Sequence, residues 1–348
     1  MHTPGEHTRR EILTQPEAWA STLEAVQTHA GALKDLWKKG NFENVVFTGC
    51  GSTYYLSLAA ASLLQELLPI PAHGLPGSEV WLHPATVRPS QQRTLLIAVS
   101  RSGETTETVR ACQAFVAQKQ GTLLTLSCYP NSPLASLGHL NLVLPAGQET
   151  SVAQTRAFTT LYLAAVATAA LWAGRSDLLA EMQHLPELGR RLLATTGDMA
   201  RQLGTDAGLD RFYFLGSGSR YGLACEISLK MKEMSLSHSE PFHFLEFRHG
   251  PQSMLSPTSL VAGLVSDTDR LHEAAVLEGM RSRGARVLSV GETQADVAFG
   301  SGLSEVIRNV LYLPFGQLLA FERALFRGQD PDRPHNLDAV VRLDVPQG

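Results

Sequence analysis

Cysteine is scarce and scattered. Cys50, Cys112, Cys128 and Cys225 lie far apart and form no C-x-x-C pair. That spacing argues against a disulfide-stapled scaffold and a paired-cysteine zinc motif, and it suits reduced thiols in a cytoplasmic protein. The amino-terminal MHTPGEHTRR has no apolar stretch of the kind a secretory signal needs. Long hydrophobic runs are missing too: the longest, Leu161 to Ala173, falls well short of the ~20 residues that span a bilayer. Neither export nor membrane insertion is indicated. Nor is there a basic stripe, because 29 Lys and Arg are interspersed with 33 Asp and Glu for a formal net charge of -4. Nucleic acid is therefore not an expected partner, and a small molecule is.

With 348 residues, 44% of them apolar and 18% charged, the chain is long enough for two globular domains, each with its own core. An internal repeat supports that division. VVFTGCGSTYYLSLAAASLLQE from Val45 and FYFLGSGSRYGLACEISLKMKE from Phe212 align at a constant offset of 167 residues. Gly49 then matches Gly216, Gly51 matches Gly218, Ser52 matches Ser219, Tyr54 matches Tyr221 and Glu66 matches Glu233. Each half opens with a β-branched and aromatic run, a Gly-x-Gly turn and a long helical segment. This is the strand-loop-helix start of a doubly wound α/β domain, in which ligands sit beyond the carboxyl ends of the strands. TLLIAVS, Thr94 to Ser100, and the later GTLLTLSCY are nearly continuous apolar runs, as expected of parallel strands covered on both faces. A helical segment from Leu178 to Asp210 connects the halves.

The strand ending at Ser100 runs into SRSGETTETVRA. Ser100, Ser102, Thr105 and Thr106 offer hydroxyls, Gly103 lets backbone approach closely, and the following helix presents free N–H groups. A phosphate monoester needs such a set. The same stretch also reads as an ordinary helix start, with Glu104 and Glu107 favoured by the helix dipole. At the comparable place the second half has LVSDTDRLHE, where Asp267 and Asp269 would repel an anion. Anion binding is thus expected of the first half and chemistry of the second.

Chemistry has its own cluster in ISLKMKEMSLSHSEPFHFLEFRHGP. Lys230 and Glu233 share a helix face at i,i+3 spacing, with Leu229, Met231 and Met234 around them. A partly covered carboxylate beside a lysine has the tunable proton affinity that a proton-shuttling base requires; an exposed ion pair is the plainer alternative. Glu240 and Glu246 are further candidates for the base. His249 is held on a turn by Gly250 and Pro251, as an acid/base or as a structural histidine bonded to a carbonyl. His243-x-x-Glu246-x-x-His249 fits neither the H-E-x-x-H helix nor a Cys/His zinc pattern, so no metal is expected.

GCGSTYY, SRSGETTET, ETSVAQTRAFTT, LGSGSRYGLACEISLKMKE, EFRHGP and DPDRPHNLDAVVRL occur in this order. Together they resemble the isomerase half of glucosamine-6-phosphate synthase (glutamine-fructose-6-phosphate aminotransferase), which is made of two sugar isomerase (SIS) domains. The resemblance implies an α/β fold of two tandem SIS domains, each a doubly wound parallel sheet flanked by helices. Its layout would be a helical segment at 1–40, a sugar-phosphate-binding domain at 41–180, a helical connector at 181–210, a catalytic domain at 211–330 and a tail closing the site at 331–348. It implies further that Ser52, Thr53, Ser100, Ser102 and Thr105 line a sugar-phosphate pocket together with the Arg101 backbone, Val152 and Gln154. Glu233 would be the base moving a proton between C1 and C2 of the open-chain sugar, Lys230 its charged neighbour, and His249 the ring-opening acid/base. In the family that histidine reaches the other subunit's pocket, which implies a homodimer.

Departures from the family pattern redirect the expected reaction. Only about 40 residues precede the first SIS region and no nucleophilic cysteine follows Met1, so glutamine is not the expected ammonia source. Asp338 and Ala339 stand where the family has alanine and an imine-forming lysine, and alanine forms no imine. Arg101 replaces a glutamine and Gln154 a serine, which suggests a different substrate substituent. The expected function is therefore a cofactor-free, cytoplasmic phosphosugar isomerase that deaminates an amino-sugar 6-phosphate, of the type converting glucosamine 6-phosphate to fructose 6-phosphate and ammonia. The alternatives are a fructosamine-6-phosphate deglycase and a non-catalytic sugar-phosphate sensor.

Overall fold

A computed structural model describes residues 3–87, 93–119 and 121–343 of the chain. It opens with helices α1 (Glu6–Leu13), α2 (Gln15–Thr28) and α3 (Ala30–Gly40). Strands and helices then alternate through β1 (Asn44–Gly49), α4 (Ser52–Leu67), β2 (Ala72–Pro76), α5 (Gly77–Leu82), α6 (Pro84–Val87), β3 (Thr94–Ser100), α7 (Thr106–Ala117), β4 (Gly121–Ser127) and β5 (Leu140–Val143). Helices α8 (Arg156–Trp172), α9 (Ser176–Met182) and α10 (Leu185–Gly204) follow. The second alternating stretch is β6 (Arg211–Leu215), α11 (Ser219–Ser235), β7 (His238–Phe242), β8 (Ser259–Leu264), α12 (Arg270–Arg281), β9 (Arg286–Gly291) and β10 (Val297–Ala298), followed by α13 (Glu305–Arg308) and α14 (Leu313–Phe326).

Among the described residues the strands form two five-stranded sheets, ordered β2-β1-β3-β4-β5 and β10-β9-β8-β6-β7. Every pairing is parallel. The two α/β halves expected from the repeat are therefore present. The chain divides into two compact units. One holds the first sheet and comprises Ala18–Gln148, Arg156–Leu179 and Asp338–Gly348; the other holds the second sheet and comprises Met1–Glu17, Glu149–Thr155 and Ala180–Leu337.

In the first-sheet unit the whole of β3 is buried, which explains its unbroken apolar sequence. Val46, Leu96, Ala98, Phe115 and Leu123 form one core cluster with Cys112 and Leu134, and each large aliphatic or aromatic side chain so buried contributes about 1.5–3 kcal/mol. The long apolar run beginning at Leu161 lies in α8, whose side chains from Ala157 to Trp172 are all buried. Among the described residues no helix is long and apolar enough to cross a membrane.

In the second-sheet unit Tyr213, Leu215, Phe244, Phe247, Val261 and Val276 form the corresponding core. Helix α14 packs on α10 and α11. Its Gly316 allows the close approach to α11, since a Cβ there would come within 2.6 Å of Ile227 Cγ2. Each sheet reverses its strand order once, between β1 and β3 in the first and between β6 and β8 in the second. The crevice at such a reversal is where open α/β sheets hold ligands.

Candidate functional site

The loops after β1 and β3 border the reversal point of the first sheet. After β1, Gly51 takes φ +56° and caps α4, which is a left-handed conformation that suits glycine. Ser52 and Thr53 follow in the first turn of α4, and both are buried. The Thr53 hydroxyl closes this turn locally, lying 2.9 Å from both the Cys50 carbonyl and the Cys50 N–H.

After β3, Ser100 and Arg101 are buried. Ser100 Oγ accepts the Gly103 N–H at 3.0 Å and Ser102 Oγ accepts the Glu104 N–H at 3.2 Å. Gly103 has φ +68°, and a Cβ on it would come within 2.1 Å of Ser132 Oγ. Thr105 is the N-cap of α7, and its side chain makes no capping hydrogen bond. Glu107 stands in the first turn of this twelve-residue helix.

The 339–343 segment of the tail runs along this loop within the same unit. Arg101 Nη2 donates to the Ala339 carbonyl at 2.9 Å, Thr106 N–H to the Val341 carbonyl at 3.3 Å, and Leu343 N–H to Thr106 Oγ1 at 3.0 Å. Arg342 pairs with Glu104. The guanidinium at position 101 therefore lies at the backbone of Ala339. Residues 344–348, the end of the expected tail, fall outside the described residues.

In the second-sheet unit, Gly218 repeats the turn of Gly51 at φ +57° and caps α11. Along α11, Glu226, Lys230 and Glu233 form a row at i, i+4 and i+7, one helical face. Lys230 and Glu226 are fully buried, while the Glu233 side chain keeps 14% exposure. Lys230 Nζ is 3.2 Å from Glu226 Oε1 and bonds to Glu233. Burial alone would push the Lys230 ammonium down, but Glu226 and then Glu233 outweigh it and hold the group above the ordinary lysine range. Lys230 is thus a fixed buried cation. The row ends in a carboxylate with access to solvent, an arrangement suited to moving a proton. Sequence reasoning found Lys230 and Glu233 and missed Glu226. The available signal was the carboxylate one turn before Lys230; the repeat was silent, because its counterpart is Ala59.

Glu240 and Glu246 differ from Glu233 in exposure. Glu240 is about half exposed beside His238, and Glu246 is exposed. His249 is exposed between a short 3₁₀ turn, Glu246–Arg248, and Gly250 at φ +122°. Its imidazole makes no hydrogen bond among the described residues, so the carbonyl-bonded structural histidine is not what forms. His243 stacks on Tyr221 at 3.8 Å and 17°, and burial lowers its proton affinity against the opposing effect of Glu246. Among the described residues no three His, Cys, Asp or Glu gather to hold a metal ion. Val152 and Gln154 lie in the 149–155 stretch of this unit, where Val152 N–H donates to the Asp332 carbonyl at 3.0 Å. The Gln154 Oε1 atom is buried with no hydrogen-bond partner in the structure.

The reversal point of the second sheet is filled from within. Ser266 Oγ accepts the Asp269 N–H at 3.0 Å, the same three-residue bridge that Ser100 makes to Gly103. Here Arg220 enters and pairs with Glu273 at 3.0 Å and Glu305 at 2.6 Å. Glu305 also accepts the Asp267 N–H at 3.1 Å, and Glu273 the Ser266 N–H at 2.7 Å. Internal carboxylates thus take the Ser266 and Asp267 N–H groups of this loop.

Residues 41–171 match the SIS domain. The chain is 29% identical over 96% of its length to glutamine–fructose-6-phosphate aminotransferase [isomerizing] of Methanothermobacter thermautotrophicus, and it spans 57% of that relative's length. A glucosamine-6-phosphate deaminase from Thermotoga maritima has a similar solved structure, at TM-score 0.76 and 26% identity, covering 93% of this chain and 100% of that one. The tagatose-6-phosphate ketose/aldose isomerase of Escherichia coli shares the fold at TM-score 0.86 and 22% identity, over 100% of both chains. With the SIS domain matched at residues 41–171, two parallel-sheet halves with matching Gly-x-Gly turns repeat that fold in tandem, as in the isomerase half of the aminotransferases to which the chain is similar.

Proposed function

We propose that the chain is a phosphosugar isomerase that deaminates an amino-sugar 6-phosphate, converting glucosamine 6-phosphate and water to fructose 6-phosphate and ammonia. The observation that carries this reading is the row on α11, in which a buried ammonium is braced by Glu226 and Glu233 and only Glu233 reaches solvent. The phosphate is taken by the hydroxyls and helix N-terminus of the 100–105 loop. His249 opens the sugar ring. Glu233 then removes the proton from C2 of the open-chain aldehyde, leaving an enolamine, exchanges it with solvent at its exposed edge, and protonates C1, leaving a C2 imine. Water adds at C2, the resulting carbinolamine loses ammonia, and the C2 ketone remains. No enzyme-linked imine is needed, because the substrate's own nitrogen forms it, which accords with alanine at position 339. The likeness to the Thermotoga deaminase supports this direction.

We further propose a cytoplasmic homodimer in which His249 serves the partner's site. The exposure of His249, with Leu245 53% and Met254 48% exposed nearby in sequence, supports a covered surface there. The test is to incubate the pure protein with amino-sugar 6-phosphates and fructosamine 6-phosphates while following ammonia and ketose phosphate. Stoichiometric ammonia and fructose 6-phosphate from glucosamine 6-phosphate are expected. Release of an amino acid from a fructosamine 6-phosphate alone would indicate a deglycase, and binding without turnover a sensor.

A further inference from the structure

Helix α1 is tied into the second-sheet unit by carboxylates at both ends. Asp332, 2% exposed, accepts the His7 N–H at 3.0 Å, the Thr8 N–H at 2.7 Å and the Thr8 hydroxyl at 2.7 Å, while Asp330 accepts the Gly5 N–H at 2.9 Å. These bonds satisfy the first-turn donors that a helix leaves open. One turn further on, Glu11 is 1% exposed. Its carboxylate accepts the Thr150 N–H at 2.5 Å and the Ser151 N–H at 3.4 Å, and it also bonds the Ser151 hydroxyl. Val152 N–H donates to the Asp332 carbonyl at 3.0 Å. At the other end of the stretch, Glu149 accepts the Thr155 N–H at 2.8 Å and its hydroxyl at 3.1 Å.

Successive N–H groups at 150, 151 and 152 are therefore held by α1 and by the segment that caps it. The stretch is pinned on both sides of Val152 and Gln154, and the Gln154 amide oxygen is buried without a partner. Burying Glu11 beside the like-charged Glu149 raises its proton affinity, a cost that simple helix packing would not require. We propose that Glu11 is a positioning residue, shaping the 149–155 stretch so that Val152 and Gln154 are presented to the sugar. This rests on the reading that the stretch contributes to substrate binding.

Glutamine at position 11 keeps the role. Its carbonyl still accepts the Thr150 N–H, and its NH₂ donates to Ser151 Oγ, whose own proton goes to the Ala153 carbonyl 3.0 Å away. Alanine removes the Glu11 acceptor shared by the two amides and the Ser151 hydroxyl. The test combines amide hydrogen exchange without ligand, thermal unfolding, and kinetics on glucosamine 6-phosphate for wild type, Glu11→Gln, Glu11→Ala and Ser151→Ala. Exchange at Thr150 and Ser151 should be at least ~10-fold faster in Glu11→Ala and near wild type in Glu11→Gln, the scale of losing buried hydrogen bonds. KM should rise ~10-fold in Glu11→Ala and a few-fold in Ser151→Ala, with Glu11→Gln within ~2-fold of wild type. If Glu11→Ala does not fold, Ser151→Ala carries the comparison. A folded Glu11→Ala or Ser151→Ala with wild-type KM and exchange would overturn the proposal, as would a lowered Tm with unchanged KM, the mark of a purely structural role. A wild-type protein that neither binds nor turns over sugar phosphates would instead defeat the functional reading, while the exchange data would still report on the clamp.

Discussion

Replacing Glu226 with leucine removes a fully buried carboxylate and leaves Lys230, also fully buried, with Glu233 as its remaining carboxylate on α11. Losing one partner of a buried ion pair costs about 3–5 kcal/mol, mostly because the other charge stays buried. For a unit of about 150–250 residues that corresponds to a Tm lower by roughly 6–20 °C. Adding Lys230→Met removes the stranded cation, so the double variant should regain more than half of the lost stability while remaining inactive. The pH dependence follows from the direction of the lysine's shift. Its folded value lies above the ordinary 10.5, so its stabilising share is complete below that value and is lost only as pH rises through the folded one. The deficit of Glu226→Leu should therefore be the same across roughly pH 6 to 9. Thermal unfolding followed by circular dichroism reads both effects. A single variant melting within about 1 °C of wild type, or a double variant worse than the single one, would refute the description of this row as a buried charge cluster.

Two further outcomes are expected. Sugar 6-phosphates should raise the Tm while the matching free sugars do not, and Ser102→Ala with Thr105→Ala should abolish the rise; equal shifts from both ligand sets would remove the case for a phosphate site. His249→Ala and Glu233→Gln proteins, each nearly inactive, should regain activity when mixed and allowed to exchange subunits, since one site of each mixed dimer would have both intact residues. Mixed dimers verified by mass that stay inactive would contradict a shared site.

Much of this architecture is legible in the chain. The apolar runs ending at Ser100 and Ser127 announce parallel strands because both faces of β3 and β4 are covered. The 167-residue repeat marks Gly51 and Gly218, whose φ values of +56° and +57° show the same turn built twice. What stays hidden depends on contacts between distant residues. Glu226 looks like any surface carboxylate on a helix, and only the folded chain shows it buried. The link from Thr8 to Asp332 spans 324 positions, and that from Glu11 to Thr150 spans 139, so no local pattern records them. Likewise Asp267 and Asp269 are visible in the sequence, but the ion pairs of Arg220 with Glu273 and Glu305 emerge only from the fold.

The central claim is that Glu233 carries a proton between C1 and C2 of an amino-sugar 6-phosphate. It is tested most directly by turning over glucosamine 6-phosphate in D₂O and locating the label by NMR. Fructose 6-phosphate carrying deuterium at C1, formed with equimolar ammonia, is the expected product. Glu233→Gln, which keeps the shape but cannot accept the proton, should slow turnover by at least ~100-fold and leave substrate binding little changed. Near-normal turnover in that variant, or wild-type product formed without exchange of any C1 or C2 proton across a range of conversions, would contradict the account.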